Sequence, residues 1–196
     1  MKTGLLLTML LFLNSNCGHN FQTETIFPFS VDLETIDGQI INSSTFKNEN
    51  ILVIDFWNIH CGPCIQTFNS IRDNYDIWKL KTDTKIIAIA AQSRDERTVK
   101  FIKKSNWPFE VYFDPDYNLF RALSKHQKNG QIYYIFPTMF IFDKENKLID
   151  KLEGAKQILK EGAKFPAKDE TIKGEDIFEI DINFYYELFG GLKDKK

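Results

Sequence analysis

Residues 51–64 read ILVIDFWNIHCGPC, and the reading of this stretch decides the fold. Its first half, Ile51–Trp57, is short, β-branched and apolar, interrupted only by Asp55, the pattern of a strand buried on both faces. Its second half ends in Cys61-Gly62-Pro63-Cys64. Pro63 suits the first turn of a helix, where its missing N–H costs nothing. A helix starting there aims free N–H groups and its positive dipole end at Cys61, which favours the thiolate over the thiol. Two cysteines separated by two residues can close a small disulfide and reopen it by thiolate attack. The stretch therefore predicts redox chemistry at a strand-to-helix turn.

Working outward, residues 31–36 alternate, Asp37-Gly38 signals a tight turn and residues 39–41 resume, which predicts a β-hairpin. After the tetrad, a helix over about residues 63–80 carries Ile65, Phe68, Ile71, Tyr75 and Trp78 at three- and four-residue spacing, one buried stripe. Residues 85–91 (KIIAIAA) form a second buried strand. Ser93, with Glu96 three residues on, reads as a capping box opening a helix that Trp107-Pro108 stops. A short strand at 109–113, a short helix at 117–124 and a basic loop at 125–130 lead to Pro137. Residues 138–142 and 147–152 flank a turn at 143–146 as an antiparallel hairpin. Residues 155–174, rich in Lys, Glu and Gly, read as a surface loop near the site or, the safer reading, as decoration. A last helix over 178–189 places Phe178, Ile182, Tyr185, Tyr186 and Phe189 on a shared face, ended by Gly190-Gly191. Alternating strands and helices followed by a terminal hairpin imply an α/β three-layer sandwich with a mixed central sheet, an N-terminal hairpin and a C-terminal helix.

With an acid followed by Phe-Trp, four residues ahead of the tetrad counted from Trp57, residues 51–64 resemble the active-site segment of thioredoxin. Phe136-Pro137-Thr138 stands where the thioredoxin family holds a cis-proline facing the disulfide. The long segment between the two matches, and the leader ahead of them, look like the exported TlpA/ResA branch, whose added N-terminal strands the predicted hairpin resembles. The resemblance spans residues 31–154 and leaves the C-terminal part uncovered.

Composition fits one domain: 196 residues, 43% of them hydrophobic, with a formal charge of −2. Lys and Arg are scattered, so no nucleic-acid face is expected. The 18 Phe residues alternate with charge and read as core filling. Residues 1–16 have signal-peptide character, with Lys2 followed by an unbroken apolar stretch at 5–13 that is too short to span a bilayer. Cys17 stands where a bacterial lipoprotein signal places its acylated residue, although Asn16 departs from the small residue usual before it. Lipidation also accounts for the cysteine left over once Cys61 and Cys64 pair. Residues 17–30 read as a tether and 31–192 as the folded domain. The expected location is the bacterial cell envelope, on the periplasmic side, with a lipid anchor through Cys17.

Within the site, Cys61 is the expected nucleophile, with a pKa lowered from about 8.5 toward neutrality. Cys64, one turn into the helix, is the resolving thiol. Asp55, a carboxyl in an apolar strand, should have a raised pKa and exchange protons with a nearby thiol. Its position matches the buried acid of thioredoxin, which serves the second cysteine. ResA-like proteins often carry a Glu three residues past that cysteine; Thr67 stands there, so the proton role falls to Asp55 or to water. The resemblance further implies a cis bond before Pro137, with Phe136 and Thr138 beside it holding an extended client strand. Trp57, Gly62 and Pro63 belong to the same client face. His60 replaces a Trp of thioredoxin; protonated, it would stabilise the thiolate and push the couple toward oxidising, and otherwise it is a solvated residue at the mouth of the site.

No metal or cofactor is expected, because one CxxC supplies two of the four ligands of a structural zinc, and His60 and His126 do not complete the set convincingly. The expected activity is that of a thiol–disulfide oxidoreductase, a reductase by its Gly-Pro dipeptide. It would be monomeric, act on a protein dithiol or disulfide client and be regenerated by a membrane electron donor. Two alternatives stand beside it. A peroxiredoxin would want Thr where Asn58 stands, and a non-redox cell-surface scaffold would keep the tetrad as a relic.

Overall fold

The chain enters the sheet through a hairpin of β1 (Asp32–Thr35) and β2 (Ile40–Asn42), closed at Gly38, whose φ of 85° suits a residue without Cβ. It continues through β3 (Ile51–Trp57), α1 (Gly62–Thr82), β4 (Thr84–Ala90), α2 (Glu96–Ser105), β5 (Glu110–Phe113) and α3 (Asn118–Leu123). The short strands β6 (Gln127–Lys128) and β7 (Gln131–Ile132) follow, then β8 (Thr138–Phe142), β9 (Leu148–Glu153), β10 (Gln157–Leu159), β11 (Phe178–Ile180) and α4 (Ile182–Gly191). The computed structural model describes residues 25–47, 49–82, 84–123, 127–128, 131–132, 134–163 and 177–191. The signal segment, Cys17, His126 and residues 164–174 lie outside them.

Seven strands form the central sheet in the order β2-β1-β5-β4-β3-β8-β9. β3, β4 and β5 run parallel, while the hairpin at one edge and β8–β9 at the other run antiparallel. The mixed sheet follows from the connections: α1 and α2 are long enough to return the chain to a parallel neighbour, and a four-residue turn is not. β3 is buried along its whole length and its side chains alternate between two cores. Ile51, Val53 and Trp57 join Cys64 and Phe68 of α1, Val99 and Ile102 of α2, and Tyr185 and Phe189 of α4. Leu52, Ile54 and Phe56 join Leu119, Phe120 and Leu123 of α3 on the opposite face. Each such buried side chain contributes about 1.5–3 kcal/mol, which sets the scale against which one buried carboxyl must be weighed.

Five expectations need correction. The tether does not run free to Phe29: Ile26 bridges to Lys147, and Phe27 is 2% exposed, edge-on to the ring of Phe142 at 5.2 Å. An apolar pair in a polar stretch carries no period, so only its tertiary partners reveal it. The cap of α2 is Asp95, which accepts the Thr98 N–H at 2.9 Å and its hydroxyl at 2.6 Å, so Ser93 lies before the helix. The basic loop at 125–130 includes a strand of the β6–β7 hairpin. Finally, residues 155–174 are not decoration throughout, because β10 pairs with β11, and the last helix is shorter than its spacing implied. Phe178-Glu179-Ile180 alternates as a strand, and Asp181 then caps α4 by accepting the Phe184 N–H at 3.0 Å.

Candidate active site

The tetrad lies where β3 hands over to α1. Asn58 shapes the turn, its carbonyl accepting the Cys61 N–H at 3.1 Å and its side chain accepting the His60 N–H at 2.9 Å. Cys61 and Cys64 are joined by a disulfide with a Cα–Cα distance of 5.3 Å. The two sulfurs differ in surroundings: Cys61 is partly exposed between exposed His60 and Gly62, and Cys64 is fully buried. The Cys64 N–H points at the Cys61 sulfur at 3.2 Å, the local form of the helix-end donation that stabilises a thiolate. A partly exposed cysteine that can be attacked and a buried one that can only resolve follow from this asymmetry.

Asp55 sits in the middle of β3, between Ala88 of β4 and Met139 of β8. Strand alternation turns it to the face of Val53 and Trp57, the face that α1 covers. It is 0% exposed, and neither carboxyl oxygen has a hydrogen-bond partner among the described residues. Burial pushes its pKa up from 3.8 to about 8. Next to it, Trp57 is buried edge-on to Phe68 and Trp107, and its indole N–H is likewise unpartnered among the described residues.

The β3–β8 register pairs Phe56 with Thr138, which brings Pro137 beside the end of β3 where the tetrad begins. The Phe136–Pro137 bond is cis. The Pro137 carbonyl accepts the Gly154 N–H at 2.9 Å and the Thr138 hydroxyl donates to the Ile135 carbonyl at 2.7 Å. Phe136 packs on the ring of Phe120 at 5.5 Å, so its side chain belongs to the core below the site. Its backbone, two residues before β8, makes no hydrogen bond to another described residue. Cys61, Cys64, Trp57, Gly62 and Pro63 thus share one end of the sheet with Phe136, Pro137 and Thr138, while His60 lies exposed at its rim.

Two contributions are absent from a reading of the sequence. Gln92, just past β4, accepts the Ile59 N–H at 3.0 Å and donates to Thr98 at 2.9 Å, tying the tetrad loop to the start of α2. A groove of about 530 Å³ opens there, lined by Asn58, His60, Gln92, Arg97 and Tyr117 among others. The second is Tyr185 of α4, 3% exposed, whose hydroxyl oxygen accepts the Lys156 N–H at 3.4 Å and whose pKa is raised first by burial and then by the charge of Asp55. Gln92 carries no local signal, since a lone glutamine after a strand is ordinary. Tyr185 is legible only as one apolar position of a helix.

The AhpC/TSA family matches residues 24–151, more than half of the chain. Thiol-disulfide oxidoreductase ResA of Bacillus thuringiensis subsp. konkukian (strain 97-27) is 27% identical over 124 residues, covering 61% of this chain and 63% of that protein. The chain thus spans less than two thirds of that relative's length. A crystal structure from Chlorobium tepidum, described as a thiol:disulfide interchange protein DsbE, superposes with a TM-score of 0.54 at 24% identity, covering 67% of this chain and 84% of its own. The bacterioferritin comigratory protein of Xanthomonas campestris, described for alkyl peroxide reduction, superposes with a TM-score of 0.53 at 19% identity, covering 64% and 81%. At these identities the structural likeness establishes the thioredoxin-like fold.

Proposed function

Since the chain belongs to the AhpC/TSA family, we propose that it is a thiol–disulfide oxidoreductase of the bacterial cell envelope, reducing disulfides in protein clients. The observation that carries this reading is the closed Cys61–Cys64 disulfide, with one cysteine partly exposed and the other buried on the face of the sheet that holds Asp55, whose oxygens have no partner among the described residues. In the reduced chain the Cys61 thiolate attacks one sulfur of the client disulfide, and the other client sulfur leaves with the bonding pair. Cys64 then gives its proton to the Asp55 carboxylate and attacks the Cys61 sulfur. The Cys61–Cys64 disulfide forms, the second client sulfur departs, and two electrons have passed to the client. A membrane dithiol donor returns the two electrons, and the proton on Asp55 is released to water.

Pro137, Phe136 and Thr138 hold an extended client segment beside the disulfide, pairing with the backbone of Phe136, which bonds to no other described residue. Trp57, Gly62 and Pro63 form the opposite wall, and His60 at the rim tunes the thiolate. The chain works as a monomer anchored through an acylated Cys17.

Two variants test the reading. Cys64→Ala should accumulate a mixed disulfide between Cys61 and a client protein that a thiol reductant releases. Cys61→Ser should lose all disulfide turnover and keep the fold by circular dichroism. Failure to trap any protein would sink the protein-client reading. Turnover of a hydroperoxide without a mixed disulfide to protein would replace it with peroxide reduction, and unchanged cellular function of Cys61→Ser would replace it with a non-redox scaffold.

A further inference from the structure

In the sheet β3 lies between β8 and β4, so the tetrad at its end has Pro137 on one side and the end of β4 on the other. Phe136, Pro137 and Thr138 meet the client on the β8 side. On the β4 side the groove of about 530 Å³ begins at Asn58 and His60, which lead into Cys61, and runs past Gln92 and Asp95 to Arg97 of α2 and to Tyr117. It is therefore continuous with the surface around Cys61.

Three features show that the groove is built to hold something. Arg72 donates to the Ser105 carbonyl at 3.1 Å, Arg94 to the Ile36 carbonyl at 3.0 Å and Arg121 to the Tyr134 hydroxyl at 3.2 Å. Arg97 is exposed, and its guanidinium donates to none of the described residues. The carboxylate that shares the groove is already engaged. Asp95 accepts the Thr98 N–H at 2.9 Å, the Thr98 hydroxyl at 2.6 Å and the Gln92 amide at 3.3 Å. Finally, Tyr117 stands in the left-handed backbone region with a φ of 58°. Glycine or asparagine holds such a turn at little cost and tyrosine does not, so the strain is kept for the surface that its ring, 4.8 Å from that of Tyr134, gives the groove. A guanidinium without a partner, beside a carboxylate with all the donors it needs, suits a carboxylate that arrives with the client.

We propose that this groove is a client subsite: the client chain crosses the tetrad from Pro137 toward α2, and Arg97 takes a Glu or Asp side chain close to the client cysteine. Neighbouring strands stand about 4.8 Å apart and an extended chain advances about 3.3 Å per residue, which puts that acid about two to three residues from the cysteine. The inference rests on the reading of the chain as an oxidoreductase with protein clients and adds which clients it prefers. The exchange itself keeps its course. The Cys61 thiolate attacks the client sulfur, the bond between the two client sulfurs breaks, and the leaving sulfur takes the pair. The ion pair with Arg97 speeds this first attack by holding the client sulfur at Cys61.

The test uses the reduced full chain carrying Cys17→Ser, so that only the tetrad thiols react. The probes are peptides in which Glu, Gln or Lys stands two or three positions to either side of a cysteine carried as its pyridyl disulfide. Attack by Cys61 joins the peptide to the chain and releases thiopyridone, whose absorbance gives the rate. At one of these positions and at low salt, the Glu peptide should react about fivefold faster than the Gln peptide, the gain that an exposed ion pair supplies. The gain should shrink as salt is raised, and the Lys peptide should be the slowest of the three. Arg97→Gln should bring the Glu-to-Gln ratio to about one. Arg97→Glu should turn the preference over to the Lys peptide, a result that damage to the fold would not give. Equal rates for Glu and Gln peptides at every position would overturn the inference and leave the protein-client reading standing. A preference for Glu that survives in Arg97→Glu would overturn it too, by placing the carboxylate elsewhere. If no peptide reacts with a chain whose two tetrad thiols titrate as reduced, both readings fail.

Discussion

Replacing Asp55 by Asn removes the titration of a carboxyl that the fold holds without a partner among the described residues, and its effect on stability can be worked out with sign. The folded-state pKa is about 8 against an ordinary 3.8. Below the lower value both states carry the proton, so the native protein has its full stability there. Between the two values the unfolded chain has released the proton and the native chain has not, so stability falls as pH rises, by about 1.4 kcal/mol per pH unit for one proton. Above the folded-state value the loss levels off. The amide of the Asp55→Asn chain does not titrate, so the stability difference between variant and parent should grow in favour of the variant across this window. From about pH 5 to about pH 7 the growth should be roughly 2–3 kcal/mol, whatever constant cost the buried amide adds. Urea denaturation of both oxidised chains at several pH values measures it, and subtracting one chain from the other cancels every titration they share. Parallel pH curves would refute the reasoning and mean that Asp55 ionises in the native state much as it does in the unfolded one.

Three further outcomes follow from particular contacts. Phe27→Ala should destabilise the fold by about 3–5 kcal/mol in urea, because Phe27 is buried among Phe29, Phe46 and Phe142; a change within error would restore residues 25–29 to the tether. Asp95→Ala should cost about 1 kcal/mol and Ser93→Ala close to nothing, compared by thermal melting near neutral pH. Thr98 holds the Asp95 carboxylate below its ordinary pKa, so the Asp95 contribution should be present above that value and fade as pH falls through the lowered one. Gln92→Ala should lower the melting temperature by the few degrees that about 1 kcal/mol implies and loosen the tetrad loop, read as faster amide exchange at Ile59. An unchanged exchange rate would show that the loop holds itself.

The chain is similar in sequence to a thiol-disulfide oxidoreductase and in fold to a protein described for alkyl peroxide reduction. In this chain a second cysteine lies one helical turn after the first, buried and closed onto it. A second thiol so close would let one chain complete a thiol–disulfide exchange without a second subunit or distant cysteine.

By itself the sequence determined the central strand, the strand-to-helix turn, the redox pair and the buried acid. Each is written in a run of fewer than about fifteen residues, where burial on two faces, a proline in a first turn and a two-residue cysteine spacing act at short range. Asp55 stood out because a carboxyl amid β-branched residues has nowhere to find water. Only the tertiary structure decided what lies around them. Phe27 is core because Phe46 and Phe142 come to it, and β10 is a strand because β11 supplies its partner from beyond residue 176. Gln92 reaches Ile59 across 33 positions, and Tyr185 joins the core of Cys64 and Trp57 because α4 packs on α1. Such contacts join residues that have no periodic relation along the chain. Their energy comes from closing long loops onto shared surface, and a local pattern holds no record of which surface that is.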